Sequence, residues 1–147
     1  MLQLILDALT ESDLPDIAQY YRTEAEALMP MLAASRACLH EGRYYEAFAV
    51  RCEGRLVGVV SLFEQPDGTV CDGVDVFPAF RRRGYAFRAL QLLTEVARQR
   101  GFTVQTAQIR TDNAASIALH GKLGFVPGKP WINRRNHEVR TWRKELL

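Results

Sequence analysis

The sequence predicts an α+β protein with a mixed, mostly antiparallel sheet that helices flank. Residues 44–52, 56–63 and 69–76 are three apolar, β-rich segments separated by short, glycine-containing turns, and such turns join antiparallel strands. In residues 86–97, apolar side chains recur every three or four positions, which predicts a long amphipathic helix. Strand, helix and hairpin patterns follow it, so helices and strands share one fold.

The N-terminal part of the chain predicts one strand and two helices. Residues 2–6 form a short apolar run of strand type. The next helix has Ser12 as its expected N-cap and Pro15 in its first turn, where a missing N–H costs little. We expect this helix to end before Pro30, because the residue before a proline is pushed out of the helical region. A second, less periodic helix is predicted over residues 31–39.

The C-terminal part predicts a strand, a helix and a hairpin. Residues 102–110 are rich in β-branched and apolar side chains. Asn113 or its neighbour Asp112 is a suitable N-cap for the helix that follows, and Gly124 is a suitable residue for its end. The remaining residues predict two strand-like pieces around a polar turn at 133–136.

The length and composition of the chain indicate a soluble protein of one domain. The chain has 147 residues, of which 48% are hydrophobic and 24% charged, so we expect one soluble domain over residues 1–147. Acidic residues such as Asp7 and Glu11 interrupt the apolar N-terminus, which predicts neither a signal peptide nor a membrane segment. We therefore expect a cytosolic protein with no membrane partner.

Cysteine content and charge argue against several kinds of site. Cys38, Cys52 and Cys71 are odd in number and widely spaced, which predicts buried thiols and no metal site, with a nucleophilic Cys71 as the alternative. The net charge of the chain is only +2. The basic clusters in the sequence lack the interleaved aromatic residues that are typical of RNA-binding proteins. A nucleic-acid partner is therefore not expected.

The loop between the third strand and the long helix predicts a phosphate-binding turn. Arg81, Arg82 and Arg83 precede Gly84, and the helix that follows begins with backbone N–H groups that lack internal partners. Glycine allows a ligand to approach the backbone closely, and the small Ala86 leaves the helix start uncrowded. Neither the Gly-Lys-Ser/Thr of a P-loop nor the three-glycine spacing of a Rossmann fold is present.

The same loop resembles the acyl-CoA-binding motif R-x-x-G-x-A of the GNAT superfamily of N-acetyltransferases, with Arg81, Gly84 and Ala86 at the defined positions. Residues 74–78 also fit the strand that precedes this motif. Downstream, residues 113–125 are similar to the family segment N-x-x-A-x-x-L-Y-x-x-x-G-F. The two segments occur in the family order.

The resemblance implies acetyl-CoA as cosubstrate, no metal, and a GNAT-like sheet that is splayed at the acyl-CoA site, with the pantetheine arm in the gap. Gly73 suggests a bulge that would free backbone groups for this ligand. The residues implied to contact the cofactor are Val74, Val76, Arg81, Arg82, Arg83, Gly84, Tyr85, Ala86, Asn113 and Ser116. Two of these residues also have a purely structural interpretation: Asn113 as the N-cap of the helix, and Ser116 as a residue that faces solvent.

The residues for acid–base chemistry depart from the family pattern. His120 stands where relatives often have the tyrosine that protonates the leaving thiolate, and the alternative is a surface histidine with water as the proton donor. Gln108 stands at the position of a glutamate base in some relatives and cannot act as a base. Another carboxylate or a water chain would have to replace it, and the candidates are Asp75, Asp72, Glu46 and Glu64. Asp75, beside the loop, is our first choice of base, against the alternative that it is only a solvated carboxylate.

We therefore predict an N-acetyltransferase that moves an acetyl group from acetyl-CoA to a primary amine by direct transfer. The acceptor is a small molecule or a peptide, and the sequence leaves a homodimer open. The alternative is an acyl-CoA-binding module with little or no turnover, which the loss of the family's tyrosine and glutamate favours.

Overall fold

The computed structural model describes residues 3–147, and the predicted α+β architecture is confirmed in them. The helices are α1 (Leu14–Tyr21), α2 (Met29–Ala37), α3 (Tyr85–Gln99) and α4 (Ala114–Lys122). The strands are β1 (Leu4–Ala8), β2 (Tyr45–Cys52), β3 (Arg55–Glu64), β4 (Val70–Val76), β5 (Val104–Arg110), β6 (Val126–Pro127), β7 (Trp131–Ile132) and β8 (Glu138–Glu145).

These strands form one sheet in the order β1-β2-β3-β4-β5-β8-β6, with β7 also paired to β8. Strands β4 and β5 are parallel, and the other pairs formed by residues 3–147 are antiparallel. A parallel pair needs a crossover connection, which here is the basic loop followed by α3. The sheet therefore places this loop at the end of β4, beside β5.

Helices cover both faces of the sheet. On one face, α1 and α2 pack against the centre of the sheet through buried Leu14, Ile17 and Leu32. On the other face, α3 contributes the fully buried Leu90 and Leu93, and α4 packs on the same apolar cluster. Each face thus has its own core, and the sheet separates α1 and α2 from α3 and α4.

The N-terminal helices differ from the prediction in their boundaries. Residues 11–13 form a short 3-10 turn, so Ser12 lies inside it and is not the cap of α1. The first helix ends at Tyr21 because Arg22 adopts the left-handed conformation, with φ of 58°. Pro30 does not end this helix; it lies in the first turn of α2, where proline is well tolerated.

Two further details of the strands bear on the predictions. The first strand begins at Leu4, and Leu2 lies outside the described residues. The bulge expected at Gly73 is absent from the described β3–β4 ladder, whose register is continuous from Val70 to Val76. The register shift lies instead between β2 and β3, at Val50 and Arg51. Within residues 3–147, no helix combines the length and apolar composition needed to cross a bilayer.

A buried ion pair joins the start of the first helical region to the sheet. Arg51 of β2 donates two hydrogen bonds of 2.9 Å to the carboxylate of Asp13, whose side chain is 6% exposed. Burial alone would raise the pKa of Asp13, but the hydrogen bonds from Arg51 and Thr10 outweigh it and hold the pKa below its usual value. Asp13 therefore stays charged and depends on Arg51.

We predict that Arg51→Met lowers the free energy of unfolding by about 3 kcal/mol at neutral pH, because it leaves a buried carboxylate without its partner. Asp13 has a lowered native pKa, so its stabilising contribution is present at neutral pH and is lost as the pH falls through that pKa. The difference between wild type and variant should therefore persist at neutral pH and shrink only as the pH falls below about 4. Urea denaturation at neutral pH and at about pH 3 measures this difference, with the exposed Arg43→Met as control. An equal loss in both variants would contradict the prediction.

Candidate active site

The sheet opens between β4 and β5. These strands pair only through Val70 with Gln105 and Cys71 with Thr106, after which they diverge. Each strand stays paired on its outer edge, β4 with β3 as far as Val76 and β5 with β8 as far as Arg110. The predicted splay is therefore confirmed, and the inner backbone edges of residues 73–76 face a gap instead of a strand.

The basic loop presents free backbone donors at the end of this gap. Arg82 and Gly84 both adopt positive φ, 64° and 78°, and Gly84 directly precedes α3. Within residues 3–147, the backbone N–H groups of Arg82, Arg83 and Gly84 donate no hydrogen bond. The first turn of α3, with Tyr85 and Ala86, adds further N–H groups at the positive end of the helix dipole. This geometry suits an anionic ligand.

The side chains of the three arginines in the loop make different contacts. Arg81 turns back onto the fold, where its Nε donates to the carbonyl oxygen of Val76 at 3.0 Å and its Nη2 to the hydroxyl of Tyr20 at 3.4 Å. The side chain of Arg83 lies 5.8 Å from the centre of the Phe80 ring, and Arg82 is exposed. Arg81 thus fixes the loop to β4, while Arg82 and Arg83 extend from the loop.

On the α1 face of the sheet, Asp75 lies at the centre of a cluster with two tyrosines. The hydroxyl of Tyr20 donates to Oδ1 of Asp75 at 3.0 Å, and that of Tyr21 donates to Oδ2 at 2.7 Å. Burial and then the charge of Asp75 raise the pKa of both tyrosines, so both remain donors. The half-buried carboxylate therefore has fixed neighbours and is not simply solvated. Sequence reasoning missed both tyrosines, because nothing in the pattern of α1 singles them out.

On the other face, His120 is buried and bonded through both ring nitrogens. Its side chain is 3% exposed, which makes the alternative of a surface histidine wrong. Nε2 lies 3.0 Å from Oδ1 of Asp72, and Nδ1 lies 2.9 Å from the backbone oxygen of Ser116 and 3.3 Å from its Oγ. Burial lowers the pKa of His120, but the hydrogen bond and charge of Asp72 outweigh it and the net pKa is raised.

Asp72 is the partner that sequence reasoning did not assign to His120. It follows Cys71 directly, so it stands where the sheet begins to open, and its side chain is 2% exposed. Its second oxygen accepts a 2.8 Å hydrogen bond from the amide of Gln105 on β5. A buried aspartate in an apolar strand is a signal for such a partner, since a buried charge needs one.

The two acidic sites lie on opposite faces of the sheet. Asp72 and Asp75 are an odd number of positions apart on one strand, and side chains on a strand alternate between faces. The contacts agree, because Asp72 meets His120 of α4 and Asp75 meets Tyr20 of α1. The gap therefore has a carboxylate–imidazole pair on one side and a carboxylate–phenol cluster on the other.

The remaining candidate residues have mainly structural contacts. Oδ1 of Asn113 accepts the N–H of Ser116 at 3.2 Å, which confirms Asn113 as the N-cap of α4. Gln108 accepts a hydrogen bond from Asn133 and is not a base. Burial raises the pKa of Cys71 to about 11, which keeps it a thiol and argues against a nucleophilic role. Residues 3–147 contain no group of three or more acidic, histidine or cysteine side chains placed to hold a metal.

Comparison with known proteins identifies relatives over most of the chain. An L-methionine sulfoximine/L-methionine sulfone acetyltransferase of Pseudomonas aeruginosa is 35% identical over 121 residues, which cover 79% of this chain and 62% of that protein. A [ribosomal protein bS18]-alanine N-acetyltransferase of Escherichia coli K12 is 26% identical over 142 residues, which cover 97% of this chain and 93% of that protein.

A solved structure shows the same fold. An acetyltransferase candidate from Salmonella typhimurium, determined with its cofactor acetyl-CoA, superposes with a TM-score of 0.83 at 21% identity and covers 99% of this chain and 95% of its own. The model of the family described as "Acetyltransferase (GNAT) family" matches residues 6–125. The resemblance seen in the two sequence motifs is thereby confirmed, and the chain belongs to the GNAT family of acetyltransferases.

Proposed function

We propose that this chain is an acetyl-CoA-dependent N-acetyltransferase. The observation that carries the proposal is the position of the free N–H groups at the start of α3, beside the gap between β4 and β5. One elongated ligand with a pyrophosphate at one end and amide groups along its arm would satisfy both features. Acetyl-CoA has this shape and carries a thioester at the far end of the arm.

Binding of the donor would use mostly the backbone. The N–H groups of residues 82–86 would hold the pyrophosphate, with the charges of Arg82 and Arg83 in support. The inner edge of β4 at Val74 and Val76 would pair with the amides of pantetheine, because a polar backbone edge requires partners. The side chain of Arg81 would keep the loop in place through its bond to Val76. Asn113, next to the gap at the start of α4, would contact the arm from the other side.

The acceptor we propose is the amine of an amino acid or of an amino-acid residue in a protein. Both relatives named above support this, since one acts on L-methionine sulfoximine and the other on an alanine of a ribosomal protein. In this chain, Asp75 with Tyr20 and Tyr21 offers a carboxylate and two aromatic rings on the α1 face. A carboxylate binds an ammonium by charge, and aromatic rings add cation–π attraction.

The reaction would then run across the gap. Asp75 takes a proton from the bound ammonium, and the neutral amine attacks the thioester carbonyl. The attacking nitrogen loses its second proton to solvent as the carbon–sulfur bond breaks, and the departing thiolate takes a proton that originates from His120, on the opposite face. General acid and base groups of this kind contribute typically 10²- to 10⁴-fold each, and the fixed geometry of the gap supplies the orientation.

A binding module without turnover is the second candidate function. The observation that favours it is that both ring nitrogens of His120 already contact groups of the protein itself. Such a module would bind acetyl-CoA and CoA but would release no product with any amine.

Calorimetric titration with acetyl-CoA and with CoA tests donor binding, and an acceptor panel then tests turnover. The panel should contain methionine sulfoximine, methionine sulfone and short peptides that begin with alanine, with free CoA measured as product. Acetylation of any of them supports the enzyme. Saturable binding without product favours the module, and the absence of binding to either ligand would refute both.

Gly84→Asp should abolish binding of acetyl-CoA, because the new carboxylate would lie among the N–H groups that receive the pyrophosphate. Gly68→Asp is a matched control. Gly68 also has a positive φ, 85°, and a Cβ at either position has no atom within 4 Å. Both variants thus carry similar backbone strain of about 1 to 3 kcal/mol. Calorimetry should show lost binding for Gly84→Asp alone; equal affinity of the two would disprove the placement of the pyrophosphate.

Asp75→Asn should lower kcat/KM for the acceptor by about 10²-fold, because the amide cannot take up the proton of the ammonium. The KM for acetyl-CoA should stay within about twofold, since Asp75 is assigned to the acceptor side. Asp16→Asn, on the exposed side of α1, is the control and should leave both constants unchanged. Initial rates measured at varied concentrations of both substrates give kcat/KM for the acceptor and KM for acetyl-CoA. Full acceptor activity in Asp75→Asn would remove Asp75 from the mechanism.

A further inference from the structure

Three side chains form a hydrogen-bonded row on the α4 face of the gap. Oδ1 of Asp72 lies 3.0 Å from Nε2 of His120, and Nδ1 of His120 lies 3.3 Å from Oγ of Ser116. Asp72 and His120 are buried, whereas Ser116 is half-buried. The row therefore begins inside the protein and ends at a partly exposed residue.

The contacts of His120 and the charge of Asp72 favour a proton on both ring nitrogens. Nδ1 faces the carbonyl oxygen of Ser116, which can only accept a hydrogen bond, so Nδ1 carries a proton. Nε2 lies 3.0 Å from Oδ1 of Asp72. Burial lowers the pKa of His120, but the hydrogen bond and charge of Asp72 raise it above its ordinary value, which favours a proton on Nε2 as well. We therefore assign the pair as an imidazolium and a carboxylate.

Other groups around the ring leave this assignment unchanged. The edge of Phe125 packs against the ring at 4.9 Å between centroids and carries no charge. Lys144 of β8 lies over Phe125, 5.9 Å from its centroid, and its amine donates to the backbone oxygen of Leu123. On β4, the only other titratable neighbour of Asp72 among the described residues is the thiol of Cys71, which is neutral. Asp72 is therefore the charge that controls His120.

The register of the sheet places Ser116 over the open part of the gap. The residues after α4 enter β6, where Val126 lies beside Arg143, which in turn pairs with Thr106 at the closed end of the gap. The start of α4 follows Arg110, at the open end. Ser116 is about one turn closer to that start than His120. Its hydroxyl thus lies farther along the gap than the ring that it contacts.

We propose that the hydroxyl of Ser116 passes the proton of His120 to the leaving thiolate, and that Asp72 is the positioning residue that keeps His120 protonated and oriented. The inference rests on the proposed function. As the carbon–sulfur bond breaks, the thiolate takes the proton of Ser116 Oγ, and Oγ takes the proton of Nδ1. His120 is left neutral with its remaining proton on Nε2, toward Asp72. Solvent restores the lost proton after CoA has left.

Burial explains why a relay is needed. Nε2 is held by Asp72 inside the protein, and direct donation from the ring would need His120 to leave two hydrogen bonds. The hydroxyl of Ser116 can accept from Nδ1 and donate outward at the same time. The single proton on Nδ1 lies between the backbone oxygen of Ser116 at 2.9 Å and Oγ at 3.3 Å, and the contact of Nε2 with Asp72 holds the ring in place while this proton passes to Oγ.

Ser116→Ala isolates the relay, because the other contacts of Ser116 use backbone atoms. Its N–H donates to Oδ1 of Asn113, and its backbone oxygen lies 2.9 Å from Nδ1 of His120. We expect kcat to fall about tenfold or more, with KM for acetyl-CoA within about twofold. In wild type, kcat should fall at alkaline pH as His120 loses its proton, and this decline should vanish in the variant. Ser116→Thr, which retains a hydroxyl, should restore both. Exposed Ser12→Ala is the control and should match wild type.

A second readout does not depend on turnover. The thiol of bound CoA ionises with a change in ultraviolet absorbance, and a nearby donor row should lower its pKa. In Ser116→Ala, the pKa of the bound thiol should be higher than in wild type by about one pH unit. In Asp72→Asn, the alkaline decline in kcat should begin at lower pH, because the charge that raises the pKa of His120 is gone.

The outcomes separate this inference from the proposed function. If the protein acetylates an acceptor but Ser116→Ala keeps the wild-type kcat, alkaline decline and thiol pKa, the relay is refuted and the enzyme assignment stands. A rise in KM for acetyl-CoA with the alkaline decline retained would also refute the relay and make Ser116 a binding residue. If wild type binds no CoA, the proposed function fails and the relay fails with it.

Discussion

The separation of β4 from β5 is the constraint on which the rest of the site depends. Two strands can part inside a sheet without loss of support only if each remains bonded on its other edge, and here β3 and β8 provide that support. The cost is a row of inner backbone groups without strand partners. A ligand with its own amides can meet that requirement, so the sheet is complete only when the gap is filled.

The point where the strands part is also the most polar place in the core. Asp72 and His120 bring two charges to a site with almost no solvent, and such a pair is weak evidence for stability because desolvation offsets much of the attraction. Gln105 satisfies Asp72 with its amide, yet its own Oε1 is buried without a partner among the described residues. An apolar core would be simpler, which suggests that function, and not folding, retains these groups.

Sequence patterns predicted the parts of this structure that local chemistry determines. Gly124 at a positive φ and Asn113 as a helix cap follow from the backbone conformation that each position needs. The partners across the fold could not be found in this way. Asp72 lies 48 positions from His120, and Tyr20 lies 55 positions from Asp75, so only the tertiary structure brings them together. The end of α1 at Arg22 was missed because arginine gives no signal for a left-handed conformation.

The alternation of side chains along β4 gives the segment from Asp72 to Asp75 a strict length. These carboxylates serve opposite faces because their separation along the strand is odd. One inserted or deleted residue between them would turn both to the same face, so that one half of the site would lose its acid while every other residue of the chain remained. Homologous chains that use this pair should therefore keep the number of residues between these two carboxylates unchanged.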